Sequence, residues 1–139
     1  VKDFDLAYAV EQALGSVLGD RVTVGDLIVK PEDIREPASV IHLDESVPED
    51  KEGMAVRNDQ VDIRITTLID AEGGQVYSRI RPHQMRLRKA LFATHNLNGV
   101  LHIISLKERR TLYQFNRDEM VYMIHLDIRI RHRRAAEEP

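Results

Sequence analysis

Residues 119–132 alternate almost without a break, and this period-two pattern constrains the fold more than any other feature of the chain. Met120, Tyr122, Ile124, Leu126, Ile128 and Ile130 fall on one face of an extended backbone. Val121, Met123, His125, Asp127, Arg129 and Arg131 fall on the other. Such a segment predicts a long strand with one dry face and one partly wet face, the usual condition of a strand in an antiparallel sheet. Residues 61–69 repeat the pattern, with Val61, Ile63, Ile65, Thr67 and Ile69 opposite Asp62, Arg64, Thr66 and Leu68. Shorter strands are expected at 39–43 and 100–106, joined to the last strand by a link at 107–118. Residues 22–30 are strand-like but interrupted by Gly25 and stopped by Pro31.

Two segments change period. Leu6, Val10, Ala13, Leu14, Val17 and Leu18 recur at three and four residues, which predicts a helix over 4–18. Asp3 or Asp5 is placed to cap its start, and Gly19 to end it in a left-handed conformation. A second helix is expected from Ser78 or Arg81 to Phe92, with Pro82 in its first turn and Ile80, Leu87, Ala90 and Leu91 on its buried stripe. The order is α-β-β-α-β-β, an α+β fold in which a small, mainly antiparallel sheet carries both helices on one face.

The chain has 139 residues, near the common size of one domain, and 1–134 are read as a single unit with a frayed tail at 135–139. Residues 44–59 (DESVPEDKEGMAVRND) are acidic and interrupted by Pro48 and Gly53, and read as one long loop. A composition of 42% hydrophobic and 31% charged residues belongs to a globular chain. The absence of cysteine excludes disulfides, thiolate metal sites and thiol nucleophiles. No apolar run approaches the roughly 20 residues of a membrane span, and VKDFDLAYAVEQAL reads as an amphipathic helix rather than a signal peptide.

The net charge of −3 conceals a split. Residues 1–72 carry 17 acids against 7 lysines and arginines, a net of −10. Residues 73–139 carry 6 against 13, a net of +7. Solvated faces would account for this, and so would opposite charges that meet between neighbouring copies and fix their register. On the second reading the contacts are expected from Asp44, Glu45, Glu49, Asp50 and Glu52 on the acidic side, and from Arg79, Arg86, Arg88 and Lys89 on the basic side. The arginines also form two candidate phosphate-contacting stripes, Arg79, Arg81, Arg86, Arg88 and Lys89 in one, Arg129, Arg131, Arg133 and Arg134 in the other. An acidic first half, only 5% aromatic residues and no tryptophan weigh against a nucleic-acid reader.

Signals of catalysis are weak. His42, His83, His95, His102, His125 and His132 are scattered, with no HxH, HxxxH or HExxH spacing; only His42, His102 and His125 would converge if their strands were neighbours. Asp62, Asp70 and Glu72 lack the nearby lysine of a magnesium-dependent nuclease, and Asp62 reads as a solvent-face strand residue. No GxGxxG, GxxxxGK or GxSxG motif occurs. Neither an enzyme nor a cofactor is indicated.

The succession of DLAYAVEQALGSVLGDRV, a short strand leading into an acidic loop, QVDIRITTLID, the helix IRPHQMRLRKALF, and the strands LHIISL and MVYMIHLDIRIR resembles the tail terminator (tail completion) proteins of long-tailed bacteriophages and related contractile particles. The resemblance covers nearly the whole chain and rests on element order, length and hydrophobic pattern. It implies a non-catalytic structural subunit of a hexameric ring that caps the tail tube and meets the head–neck connector. A sheath would be a further neighbour in a contractile tail, DNA would pass through the lumen, and no membrane would be involved. The expected location is the virion, after assembly in the host cytoplasm. Head–tail joining proteins share similar length and composition; in that alternative the arginine stripes touch DNA.

Overall fold

The computed structural model of the protein describes residues 2–25, 34–48, 56–93, 97 and 103–135. Helix α1 (Lys2–Leu18) leads through a 3-10 turn at Gly19–Arg21 into a short strand, β1 (Val22–Val24). Strands β2 (Ala38–Pro48) and β3 (Val56–Asp70) follow, then helix α2 (Val76–Phe92), then β4 (Ile103–Asn116) and β5 (Val121–Ala135). The five strands form one sheet in the order β1-β2-β3-β5-β4. Only β1–β2 is parallel; the other three pairings are antiparallel. The α+β expectation stands, with both helices on one sheet face, and the order α-β-β-α-β-β holds apart from one further strand before α2.

Alternation dictates which residues meet those helices. Val61, Ile63 and Ile65 of β3 and Leu126, Ile128 and Ile130 of β5 are buried against Leu6, Val10 and Leu14 of α1 and Leu87 and Leu91 of α2. Each core side chain removed from water contributes roughly 1.5–3 kcal/mol. A second cluster, Ile69, Ile80, Tyr122 and Ile124, extends the core beneath the start of α2. On the opposite sheet face, among the described residues, Ile34 packs with Ala38 and Val121 at one end.

Gly19 has φ +63° and turns the chain out of α1, the left-handed geometry that a residue without Cβ adopts at no steric cost. Val17, however, is exposed rather than on the buried stripe. Asp3 and Asp5 lie inside the first turn, since the helix starts at Lys2, and there they face the positive end of the helix dipole instead of capping it.

Several expectations need correction. Residues 44–59 are not one long loop: β2 continues to Pro48 and β3 begins at Val56. Residues 49–55, with Glu49, Asp50 and Glu52, lie outside the described residues. Residues 107–116 are not a link but the greater part of β4, and the β4–β5 turn is confined to 117–120. Met120 sits in that turn at φ +53°, outside the strand. Ala135 closes β5, leaving 136–139 outside the described residues. Helix α2 starts at Val76, so Pro82 lies in its second turn, where the ring removes a donor that an interior helical position normally uses. His83 takes the place expected for Ala90 on the buried stripe. No described helix is long and apolar enough to cross a membrane.

Candidate subunit interface

On the sheet face without helices, two buried carboxylates organise the arginines. Asp127 accepts from Arg64 Nε at 2.7 Å and Nη2 at 3.1 Å, and from Arg110 Nε at 2.7 Å. The Arg64 bonds first, and Arg110 after them, hold its carboxyl below the usual range. Asp62 accepts from Arg109 Nη1 at 2.9 Å and Arg129 Nε at 2.9 Å. It is therefore buried beneath guanidiniums, not solvated as its place in the alternation implied. Register explains both pairings: Asp62 lies opposite Arg129 and Arg64 opposite Asp127 on β3–β5, while Arg110 lies opposite Asp127 on β4–β5. These are structural ion pairs on a sheet surface, in which two carboxylates hold four arginines.

His125 shares that face, bonded to Thr66 Oγ1 at 2.9 Å and Gln114 Oε1 at 3.1 Å. His42 is exposed near His125, and His102 lies outside the described residues. Among the described residues no group of three or more His, Asp or Glu side chains is gathered to hold a metal. Asp70 turns its Oδ1 back onto the Glu72 amide at 2.8 Å, at the far end of β3 from Asp62.

Helix α2 is unusual in carrying five bases and no acid over Val76–Phe92. Its bases fall into three groups. Arg79 is committed to backbone carbonyls of Gly74, Arg35 and Asp70 at 3.0, 3.1 and 2.6 Å. Arg88 forms a two-pronged bond to Glu108 at 2.9 and 3.0 Å and reaches Thr111; that pairing holds the Glu108 carboxyl below its ordinary range. Arg81, Arg86 and Lys89 are exposed. On the acidic side Asp44 and Glu45 are exposed on β2.

Beneath α2, Ser39 Oγ lies 2.7 Å from His83 Nε2 and 2.8 Å from Thr67 Oγ1, and Gln84 donates to Thr67. Burial, reinforced by Arg21 and Arg86, pushes the His83 imidazole down to about 4. This group is a hydrogen-bonded polar seam between helix and sheet, in which Ser39, Thr67 and His83 are buried.

Exposed apolar side chains were not foreseen from the sequence. Phe4 and Tyr8 stand on the outer side of α1, 54% and 57% exposed; Tyr77, Tyr113 and Phe115 surround the junction of α2 and β4, with Tyr77 72% and Tyr113 66% exposed. Tyr77 meets Tyr122 edge to face, ring centroids 5.6 Å apart. Burial, with Tyr77 alongside, pushes the Tyr122 hydroxyl up to about 12. Gln75, Val76, Tyr77, Ser78, Phe115 and Tyr122 line a groove of about 520 Å³ there. The available signal was the four-residue spacing of Phe4 and Tyr8 on the polar side of an amphipathic helix; Tyr113 and Phe115 were hidden within the supposed link.

No family model matches the sequence, and no curated protein matches it. Among solved structures the chain is similar to one from the virion of a native gene transfer agent particle, with a TM-score of 0.63 at 17% identity. The match covers 93% of this chain and 95% of that one, so the two share a fold from end to end.

Proposed function

We propose that the protein is a structural virion subunit, a tail terminator that forms a hexameric ring, caps the tail tube and joins it to the head–neck connector. The observation that carries this reading is the fold shared over 93% of the chain with a chain of a gene transfer agent virion. The element order that resembles tail terminators supports it independently. A ring subunit works through surfaces rather than a reaction centre, and we read no catalytic turnover. The exposed charges Asp44 and Glu45 on β2, and Arg86 and Lys89 on α2, are the side chains we assign to contacts between subunits or with the tube. Arg79 and Arg88 serve those contacts indirectly, by fixing α2 in place.

Tube growth in the presence of the protein tests this reading. Purified protein is added to tube subunits of the same particle as they polymerise, and tube lengths are measured by electron microscopy. The terminator reading expects short tubes with a ring at one end. Unchanged lengths and bare ends would contradict it.

The rival reading, a neck protein that grips DNA phosphates, has less support. Of the two arginine stripes, Arg79 is bound to backbone carbonyls, and Arg88 and Arg129 are paired with Glu108 and Asp62. Gel-shift affinity that falls steeply with salt would favour the rival, since each neutralised phosphate adds about one unit of slope.

A further inference from the structure

The charge split of the sequence is also a split in space. Residues 1–72 supply α1 and the strands β1, β2 and β3; residues 73–139 supply α2, β4 and β5. Because the sheet runs β1-β2-β3-β5-β4, the strands of the acidic half lie together on one side of the sheet and those of the basic half on the other. Each half carries one exposed aromatic patch. Helix α1 packs on α2 as well as on β1 and β2, and presents Phe4 and Tyr8 one turn apart, with Asp5 and Glu11 on the same helix. The Tyr77–Phe115 groove opens between α2 and the edge strand β4, with Arg81 one helical turn beyond Tyr77.

We propose that α1 of one copy docks into this groove on the next copy, Phe4 and Tyr8 entering it while Asp5 and Glu11 lie against Arg81. The proposal rests on the ring reading and names the contact that builds the ring. The occupant is a second copy because the two patches match in chemistry, aromatic with aromatic and acid with base. Aromatic anchors in a groove rimmed by matched charge are the usual centre of a protein interface. Since the patches differ, the contact is head-to-tail: each copy offers one and receives the other, and the chain of contacts ends only when the rotation closes.

The experiment uses Phe4→Asp and Tyr77→Asp in the full chain, with Phe115→Asp as a second groove variant, and reads mass by sedimentation. Thermal melts confirm that each variant folds. Each single variant is expected to self-associate roughly 30-fold or more weakly than the wild type. Mixed in equal amounts, the Phe4→Asp and Tyr77→Asp proteins retain one intact patch each and are expected to form 1:1 dimers and nothing larger. Wild-type association in both groove variants or in Phe4→Asp, a mixture that stays monomeric, or a wild type that is monomeric throughout would overturn the proposal. If the wild type still caps tubes while these substitutions change nothing, the docking contact is wrong and the terminator reading stands. If the patches control association in a protein that leaves tube growth unchanged, the docking contact stands and the terminator reading is wrong.

Discussion

His83 is neutral in the folded protein over a range where a free imidazole takes up a proton. Its ordinary value of 6.5 falls to about 4 on burial. Between those limits the unfolded chain binds more protons than the folded one, so stability falls as the pH drops from 6.5 towards 4 and is fully present above that window. A difference of this size corresponds to about 3 kcal/mol. Urea unfolding at pH 7 and pH 4 should therefore show an acid-induced loss about 3 kcal/mol smaller in His83→Gln than in the wild type; equal losses would contradict the assignment. Asp127 acts in the other direction of charge, its stabilising pairs persisting until the pH falls through its depressed value. Asp127→Asn should cost about 1–3 kcal/mol at neutral pH, towards the lower end because Arg64 and Arg110 both reach water. The sequence located both aspartates on the polar side of their strands, but alternation defines a face and not its dryness. Asp62 and Asp127 are dry because arginines from segments 17 and 47 residues distant lie across them.

The parts of β2 and β4 that the sequence reading lost share a physical cause. Register shifts lie between Leu43 and Glu45 in β2 and between Glu108 and Arg110 in β4. An extra residue reverses which side chains face the core, and period-two reading stops there. Thus Leu106 and Thr111, five apart, pair with the buried Ile130 and Leu126. The uninterrupted strands β3 and β5 were legible because nothing breaks their alternation. Their central position gives a clear expectation: Leu126→Ala should destabilise by about 2–5 kcal/mol in denaturant titration, since Leu126 is 1% exposed. Helix α2 is fastened at its start by Arg79, whose three carbonyl partners belong to separate segments. Arg79→Lys should lose nearly as much stability as Arg79→Ala, because an ammonium cannot reproduce the fork. Full rescue by lysine would show that charge alone is at work there.

Across the whole molecule, the strands of the unequal halves become two sides of one sheet, because β1, β2 and β3 lie together and β5 and β4 complete it. Charge counting alone made the split visible; the aromatic groove on the basic half became visible only once β4 was recognised as a strand. If opposite sides meet between copies, raising salt from 0.1 to 1 M should weaken self-association, as the screening length shrinks from about 10 Å to about 3 Å. Charge reversal at Arg86 and Lys89, both exposed, should leave folding intact and impair ring formation or docking. The central claim concerns the particle, and the length of its tails tests it most directly. Particles assembled with the folded Arg86→Glu/Lys89→Glu protein in place of the wild type should carry overlong tails without heads when seen by electron microscopy. Tails of normal length joined to filled heads would contradict the account.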